Sequence, residues 1–298
     1  MPAAVSHYLL AERVYAVLLE YQPQLDIDRT ALLWGACGPD IFFLHRAMPY
    51  QKGRSLKDYG TKIHNMNADK IINYFISYAR NYQSDTAMSY ALGFITHYAF
   101  DSTAHPFIVH FSNVMEEMYP EKLNSVCHNE IEANLDSLFL RVERKLKISS
   151  FRLQSTAPLK DKVNREIAKI WHGFILSYFN EDISIDELVQ VQKDWHHSLV
   201  MLNDRWSFKK HAVILGERVL GISPMLSPIM RTAYPDLSFD YANMSHTEWY
   251  SQVDGKKHKE NFFELADMAE EKALTLISSV MTERLLTRNQ CKDSFTGK

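Results

Sequence analysis

Apolar residues recur along most of this chain at i, i+3, i+4 and i+7, the spacing that loads one face of a helix, while strict alternation is scarce. The pattern predicts helices over Val5–Glu20, Asp28–Cys37, Leu56–Asn81, Ser84–Ala104, Phe107–Met118 and Glu121–Leu146. It predicts further helices over Leu159–Phe179, Ile185–Trp206, Lys209–Gly216 and Asn261–Arg288. Breaks are expected at Gly38-Pro39-Asp40, at His105-Pro106 and at Tyr119-Pro120, because the residue before a proline disfavours helical geometry. Residues 221–260 hold no clean period, gather prolines and exposed-looking aromatics, and read as a long loop packed over the helical body. The expectation is one all-α domain over 1–298, with a first half over 1–146 and a helical second half over 147–298.

Composition narrows the classes of function. At 46% hydrophobic and 23% charged residues the chain buries a sizeable core rather than remaining disordered. Its formal net charge is −3 and it carries no basic run, so a duplex nucleic acid is not an expected partner. No stretch approaches the roughly twenty apolar residues that span a bilayer, so no transmembrane segment is expected. The opening MPAAVSHYLLAERV lacks a basic leader and a small-residue cleavage site, and three scattered cysteines are too few for a disulfide framework. Both point to the cytoplasm.

The chemistry gathers in the first half. In GFITHYAFDSTAHPFI, positions His97, Asp101 and His105 fall within an arc of about 80° on a helix, so they project to one side among Ile95, Tyr98, Phe100 and Phe107. A carboxylate in such surroundings needs a partner, either a histidine at i, i+4 or a divalent metal held with histidine nitrogens. His128 and Glu132 repeat the spacing, and Asp136 continues their face as a candidate acceptor for a ligand histidine. His7, Asp40 after Gly-Pro, and His64 each read alone as a buried histidine, a turn residue or a helix cap. Together the set is five histidines and three carboxylates, and nitrogen and oxygen donors without thiolates suit zinc, with manganese or iron as alternatives. Because one tetrahedral ion needs four donors, about two or three ions are implied.

SHY at His7, GPDIF at Asp40, His64, the THYAFDSTAHP run and HNEIE at His128 and Glu132 together resemble the zinc-dependent phospholipase C family, whose helical fold is shared with the S1/P1 nucleases. The resemblance implies a multi-helix bundle with a metal cluster in a core-facing cleft. It assigns Asp40, His64, His97 and Asp101 to one zinc, His105, His128 and Glu132 to a second, and His7 with the bridging Asp101 to the third. Secreted members complete the third zinc with an N-terminal tryptophan that this chain lacks, and the amine of Pro2, exposed by loss of Met1, is the candidate replacement. The interval from Asp101 to His105 is three residues where secreted members have five, so His105 is expected to turn out of the helix at Pro106.

The implied activity is hydrolysis of a phosphate ester, most directly a phosphodiester, by metal-bound hydroxide, with Asp40 as base or orienting group and Asp101 as bridge. The substrate is a small-molecule or lipid phosphodiester; a nuclease or nucleotidase-like phosphodiesterase and a non-catalytic zinc scaffold presenting Trp249 and Tyr250 to a protein partner are the competing readings. Phe42, Phe43, Tyr98 and Phe107 flank the expected ligands, as core residues or as an apolar approach.

Overall fold

The computed structural model describes residues 3–48, 50–205, 208–232, 234, 238–282, 285–291 and 295. The helices are α1 (Ala4–Tyr21), α2 (Arg29–Ala36), α3 (Lys57–His64), α4 (Ala68–Asn81), α5 (Asp85–Met118), α6 (Asn124–Arg144), α7 (Asp161–Phe179), α8 (Ile185–Leu202), α9 (Phe208–Val219) and α10 (Phe262–Thr282). Short-polar residues start several of them. The Asp28 carboxylate accepts from Thr30 N and Ala31 N, Ser84 Oγ from Ala87 N, and Ser184 Oγ from Glu187 N. Left-handed residues stop two others, Lys145 after α6 and Asn180 after α7. The fold is all-α, as the periodicity predicts, and no helix among the described residues is long and apolar enough to cross a membrane.

Helix α5 is the axis of the molecule, packed against α2, α4, α6 and α10. Its approach to α2 is set by two glycines. A Cβ at Gly93 would lie 1.9 Å from Leu32 O, and one at Gly35 would lie 2.1 Å from Tyr90 O, so any side chain would push the helices apart. Above this contact Phe75, Tyr90, Phe94, Trp171 and Phe174 interlock edge to face, and Trp171 Nε1 donates to Tyr90 Oη at 2.7 Å.

Three boundaries differ from the pattern. The expected break at His105-Pro106 does not occur, since α5 runs through it for 34 residues. Proline inside a helix costs about 3 kcal/mol, but Phe107, Ile108, Phe111 and Met115 beyond it are all buried. Each contributes roughly 1.5–3 kcal/mol, so packing outweighs the proline. The predicted 56–81 helix is two, because the chain turns at 65–67 before α4 begins. The 221–260 segment carries an antiparallel ribbon, β1 (Trp249–Tyr250) with β2 (Lys257–His258), in which Trp249 pairs with His258. Trp249 is not exposed. It packs edge-on against Phe107 and stacks on His258, which removes it from any surface offered to a partner.

Candidate metal centre

Four elements deliver the candidate ligands to one place. Helix α1 brings His7, a 3-10 turn over Gly38–Phe42 brings Asp40, the last residue of α3 is His64, and α5 presents His97 and Asp101 one turn apart. Gly38 makes the turn possible. Its φ is +56°, and a Cβ there would sit 2.3 Å from His97 Cδ2 and 2.5 Å from His97 Nε2, so the backbone carrying Asp40 lies directly against the imidazole.

Asp101 is the hub. Its Oδ1 is 3.2 Å from His7 Nε2, and its Oδ2 is 3.3 Å from His97 Nε2 and 3.7 Å from His64 Nε2. Asp40 Oδ1 is 3.2 Å from His64 Nε2. Ligand atoms of His7, His97 and Asp101 lie within 4.8 Å of one another, as do those of Asp40, His64 and His97, so the structure holds two adjoining groups that could each hold a metal. His128 Nε2 is 3.3 Å from Glu132 Oε1, and the His105 and His128 rings are 5.2 Å apart. These three residues do not close into a third such group among the described residues. His105 stays in the helical direction instead of leaving it, and it still faces the site, because with Asp40, Phe43, Thr61, His64, Asn65, Asp101 and His128 it lines a cavity of about 190 Å³. Met1 and Pro2 lie outside the described residues.

The proton positions test whether these residues suit a cation. His97 Nδ1 is 3.1 Å from Ala36 O and His64 Nδ1 is 2.6 Å from Gly60 O. A carbonyl only accepts, so each ring keeps its proton on Nδ1 and turns a bare Nε2 towards a carboxylate that also only accepts. Facing lone pairs in a buried site require a cation between them, either a proton or a metal. His97 is fully buried, and its Nε2 makes no hydrogen bond. Burial pushes its pKa below 6.5 despite the neighbouring Asp101, so a proton is disfavoured at that atom and a metal is the fitting cation. His105 behaves likewise, pushed down to about 4 by burial, with its Nδ1 also unbonded. His7 and His64 go the other way. Burial opposes their charging, but Asp101 beside His7 and Asp40 beside His64 outweigh it and raise both above 6.5. Asp101 is held well below the usual carboxylate range because His97 and His7 overcome its burial.

Several determinants are not where the local pattern suggests. Asp136 does not accept from a ligand histidine. Its carboxylate takes Val5 N at 3.2 Å, Ser6 N at 2.7 Å and Ser6 Oγ at 2.7 Å, and pairs with Arg231 at 2.7 Å with both side chains buried. It therefore anchors the first turn of α1, and the residue after that turn's anchored amides is His7. Phe295, fully buried, lays its ring 5.7 Å from that of His64 and 6.0 Å from that of His97. Of the four flanking aromatics, Phe42 packs on Tyr59 and Trp171, Tyr98 on Phe295, and Phe107 on Phe111 and Phe262. Phe43 alone lines the cleft, its ring 5.5 Å from His64.

The sequence profile of the family described as zinc dependent phospholipase C matches residues 6–186, which span every one of the clustered residues. The chain belongs to this family. Membership brings zinc dependence and the hydrolase class with it. No curated protein and no solved structure matches the chain.

Proposed function

We propose that this chain is a zinc phosphodiesterase acting on phospholipids, with His7, Asp40, His64, His97 and Asp101 holding metal beside the cleft and His105, His128 and Glu132 holding a further ion. The observation that carries this reading is the buried, bare Nε2 of His97, set between Asp101 Oδ2 and the Gly38 turn, next to a cleft that Asp40, His64, Asp101, His105 and His128 line. The chemistry that zinc supplies when bound is Lewis-acid polarisation of phosphoryl oxygens and acidification of water at neutral pH.

The chain's own residues do the rest. Asp40 lines the cleft and accepts the proton of the attacking water as the oxygen–phosphorus bond forms. The phosphorus–oxygen bond to the alcohol breaks, and the proton is delivered to the departing alkoxide. Asp101 keeps its two oxygens directed at different histidines, which fits a bridging carboxylate. The Nδ1 bonds to Ala36 O and Gly60 O fix the rings of His97 and His64, so neither ring can rotate its donor atom away.

An apolar cavity favours a lipid over a nucleotide. About 290 Å³ in volume and lined by Ala4, Phe43, Leu44, Trp195, Leu199, Leu202 and Ile229, with Asn129 and Arg231, it shares Phe43 with the cleft. Such a lining suits the apolar part of a glycerolipid, whereas a nucleobase would call for an open aromatic face. The test is hydrolysis of dihexanoyl phosphatidylcholine, phosphatidylglycerol and bis(p-nitrophenyl) phosphate by zinc-loaded protein beside a single-stranded oligonucleotide. Release of diacylglycerol that a chelator abolishes is the expected result, and p-nitrophenol release reports phosphodiesterase activity in general. Cleavage of the oligonucleotide alone would replace the lipid reading with a nuclease one, and no turnover of any substrate would leave a zinc scaffold.

A further inference from the structure

Helix α9 is built inside out. At 100° per residue Phe208, Ala212, Leu215 and Val219 fall within an arc of about 60°, a well-formed apolar stripe. In a helix that packs on a core such a stripe is buried, but here it faces solvent, with Leu215 64% and Val219 77% exposed. The one buried side chain of α9 is a glutamate, Glu217, on the opposite face. Its Oε1 accepts from Met225 N, Leu226 N and Ser227 N at 2.8–3.2 Å, and its Oε2 accepts from Ser227 Oγ at 2.6 Å. The glutamate thus ties the following loop to the helix, and in that loop Leu220, Ile222, Met225 and Leu226 are exposed as well. Large apolar side chains left exposed together over one short segment mark an interaction site rather than scattered surface residues.

We infer that α9 and the loop over 220–226 dock the protein on an anionic lipid surface. Charge selects the occupant. Over residues 204–226 the cations Arg205, Lys209 and Arg218 are exposed while the carboxylates, Asp204 and Glu217, are buried, in a chain whose net charge is −3. Lys209, whose ammonium also donates to Asn203 O at 3.0 Å, and Arg218 flank the apolar stripe on either side. A helix with apolar side chains on one face, cations beside them and no exposed acid is the pattern that lies in the headgroup region of a membrane containing negative lipid. A second copy of the chain meets this face poorly, because a two-fold contact would set the same cations against each other. The position also serves the proposed reaction. The chain leaving the loop supplies Ile229 and Arg231 to the apolar cavity that shares Phe43 with the cleft, and Lys210 Nζ donates to Met230 O between them, so docking would set the bilayer beside that cavity.

The functional consequence rests on the phospholipid reading, whereas the docking does not, and one experiment separates them. Parent protein and the Leu215→Asp/Val219→Asp variant are sedimented with vesicles of phosphatidylcholine mixed with phosphatidylglycerol, and both are assayed on soluble dihexanoyl phosphatidylcholine. The parent is expected to bind the mixed vesicles and the variant to bind about 100-fold more weakly, at roughly tenfold for each apolar side chain kept out of the interface. Lys209→Glu/Arg218→Glu, which leaves the apolar stripe intact, is expected to weaken binding by about fivefold per charge. Hydrolysis of the soluble substrate by both variants should equal the parent's, which also shows that they are folded. Parent protein that does not bind, variants that bind equally well, or a parent dimer in sedimentation equilibrium that Leu215→Asp/Val219→Asp dissolves would each overturn the proposal. Vesicle binding without hydrolysis of any phospholipid would strike the enzymatic reading alone.

Discussion

Gly38→Ala is a one-carbon probe of the metal centre. The added methyl would lie 2.3–2.5 Å from three atoms of the His97 ring, closer than non-bonded carbons come. The ring cannot yield. It is fully buried, held by Nδ1 on Ala36 O, and stacked on His7 with centroids 4.3 Å apart. The alternative is that the 3-10 turn moves and takes Asp40 with it. A left-handed φ at a non-glycine residue costs about 1–2 kcal/mol, and an overpacked methyl in a rigid site about 1–3 kcal/mol. The expected destabilisation is therefore about 2–5 kcal/mol, read as a fall in melting temperature of about 3–8 °C. The strain is concentrated on two candidate ligands, so zinc affinity should fall by at least about tenfold, more than the loss of stability alone explains. Melting curves with and without zinc, and titration with a competing chelator, measure both. Gly216→Ala is the control, since nothing lies within 4 Å of a Cβ there, and it should be neutral or stabilising by roughly 0.5–1 kcal/mol. A Gly38→Ala protein with the parent's zinc affinity and the control's stability would refute the packing of this turn against His97.

Other perturbations test other parts of the account. In zinc-free protein, His7 and His64 have raised pKa values, so the stability they contribute is complete below 6.5 and is lost as pH rises through the raised values; Asp101 contributes above 3.8 and loses its share as pH falls through its depressed value. Zinc must displace the two histidine protons, so apparent affinity should tighten with pH through this range by up to about 100-fold per unit, and a pH-independent affinity in chelator titrations would contradict the assignment. Arg231→Met leaves Asp136 buried without its charge partner and should cost roughly 3–5 kcal/mol in denaturant melts, while Arg231→Lys should recover part of it; an unperturbed midpoint would show that the pair does not hold α1. Pro106→Ala restores an amide to the middle of α5 and should stabilise by up to about 3 kcal/mol without changing zinc content. Loss of zinc in that variant would mean that the proline itself aims His105.

What could be read from the chain, and what could not, divides by sequence distance. The turns of α5 and α6 put His97 with Asp101 and His128 with Glu132 by simple periodicity, and the same period yields the all-α fold. The pull of Asp101 on His7 and of Asp40 on His64 is not periodic, and it became legible only through the resemblance of the ordered set. Gly38 against His97 is a contact across 59 positions that depends on how α2 and α5 pack, so no local rule points to it. The misread break at Pro106 is a case where a sound local rule loses to burial on the far side of the proline. Asp136 sits at ligand spacing from Glu132, yet its partners come from α1 and from Arg231, 95 residues away. Phe295 contacts two candidate ligands from near the end of the chain, where hydrophobicity alone gave no reason to look.

Zinc content measured together with turnover tests the central claim most directly, using the parent and Asp101→Asn, which keeps the shape of the hub but removes its charge. More than one zinc per chain in the parent, with zinc and phosphodiester hydrolysis both lost in Asp101→Asn, is the predicted result. A parent that hydrolyses phosphodiesters without zinc, or an Asp101→Asn protein that retains both its metal and its rate, would contradict it.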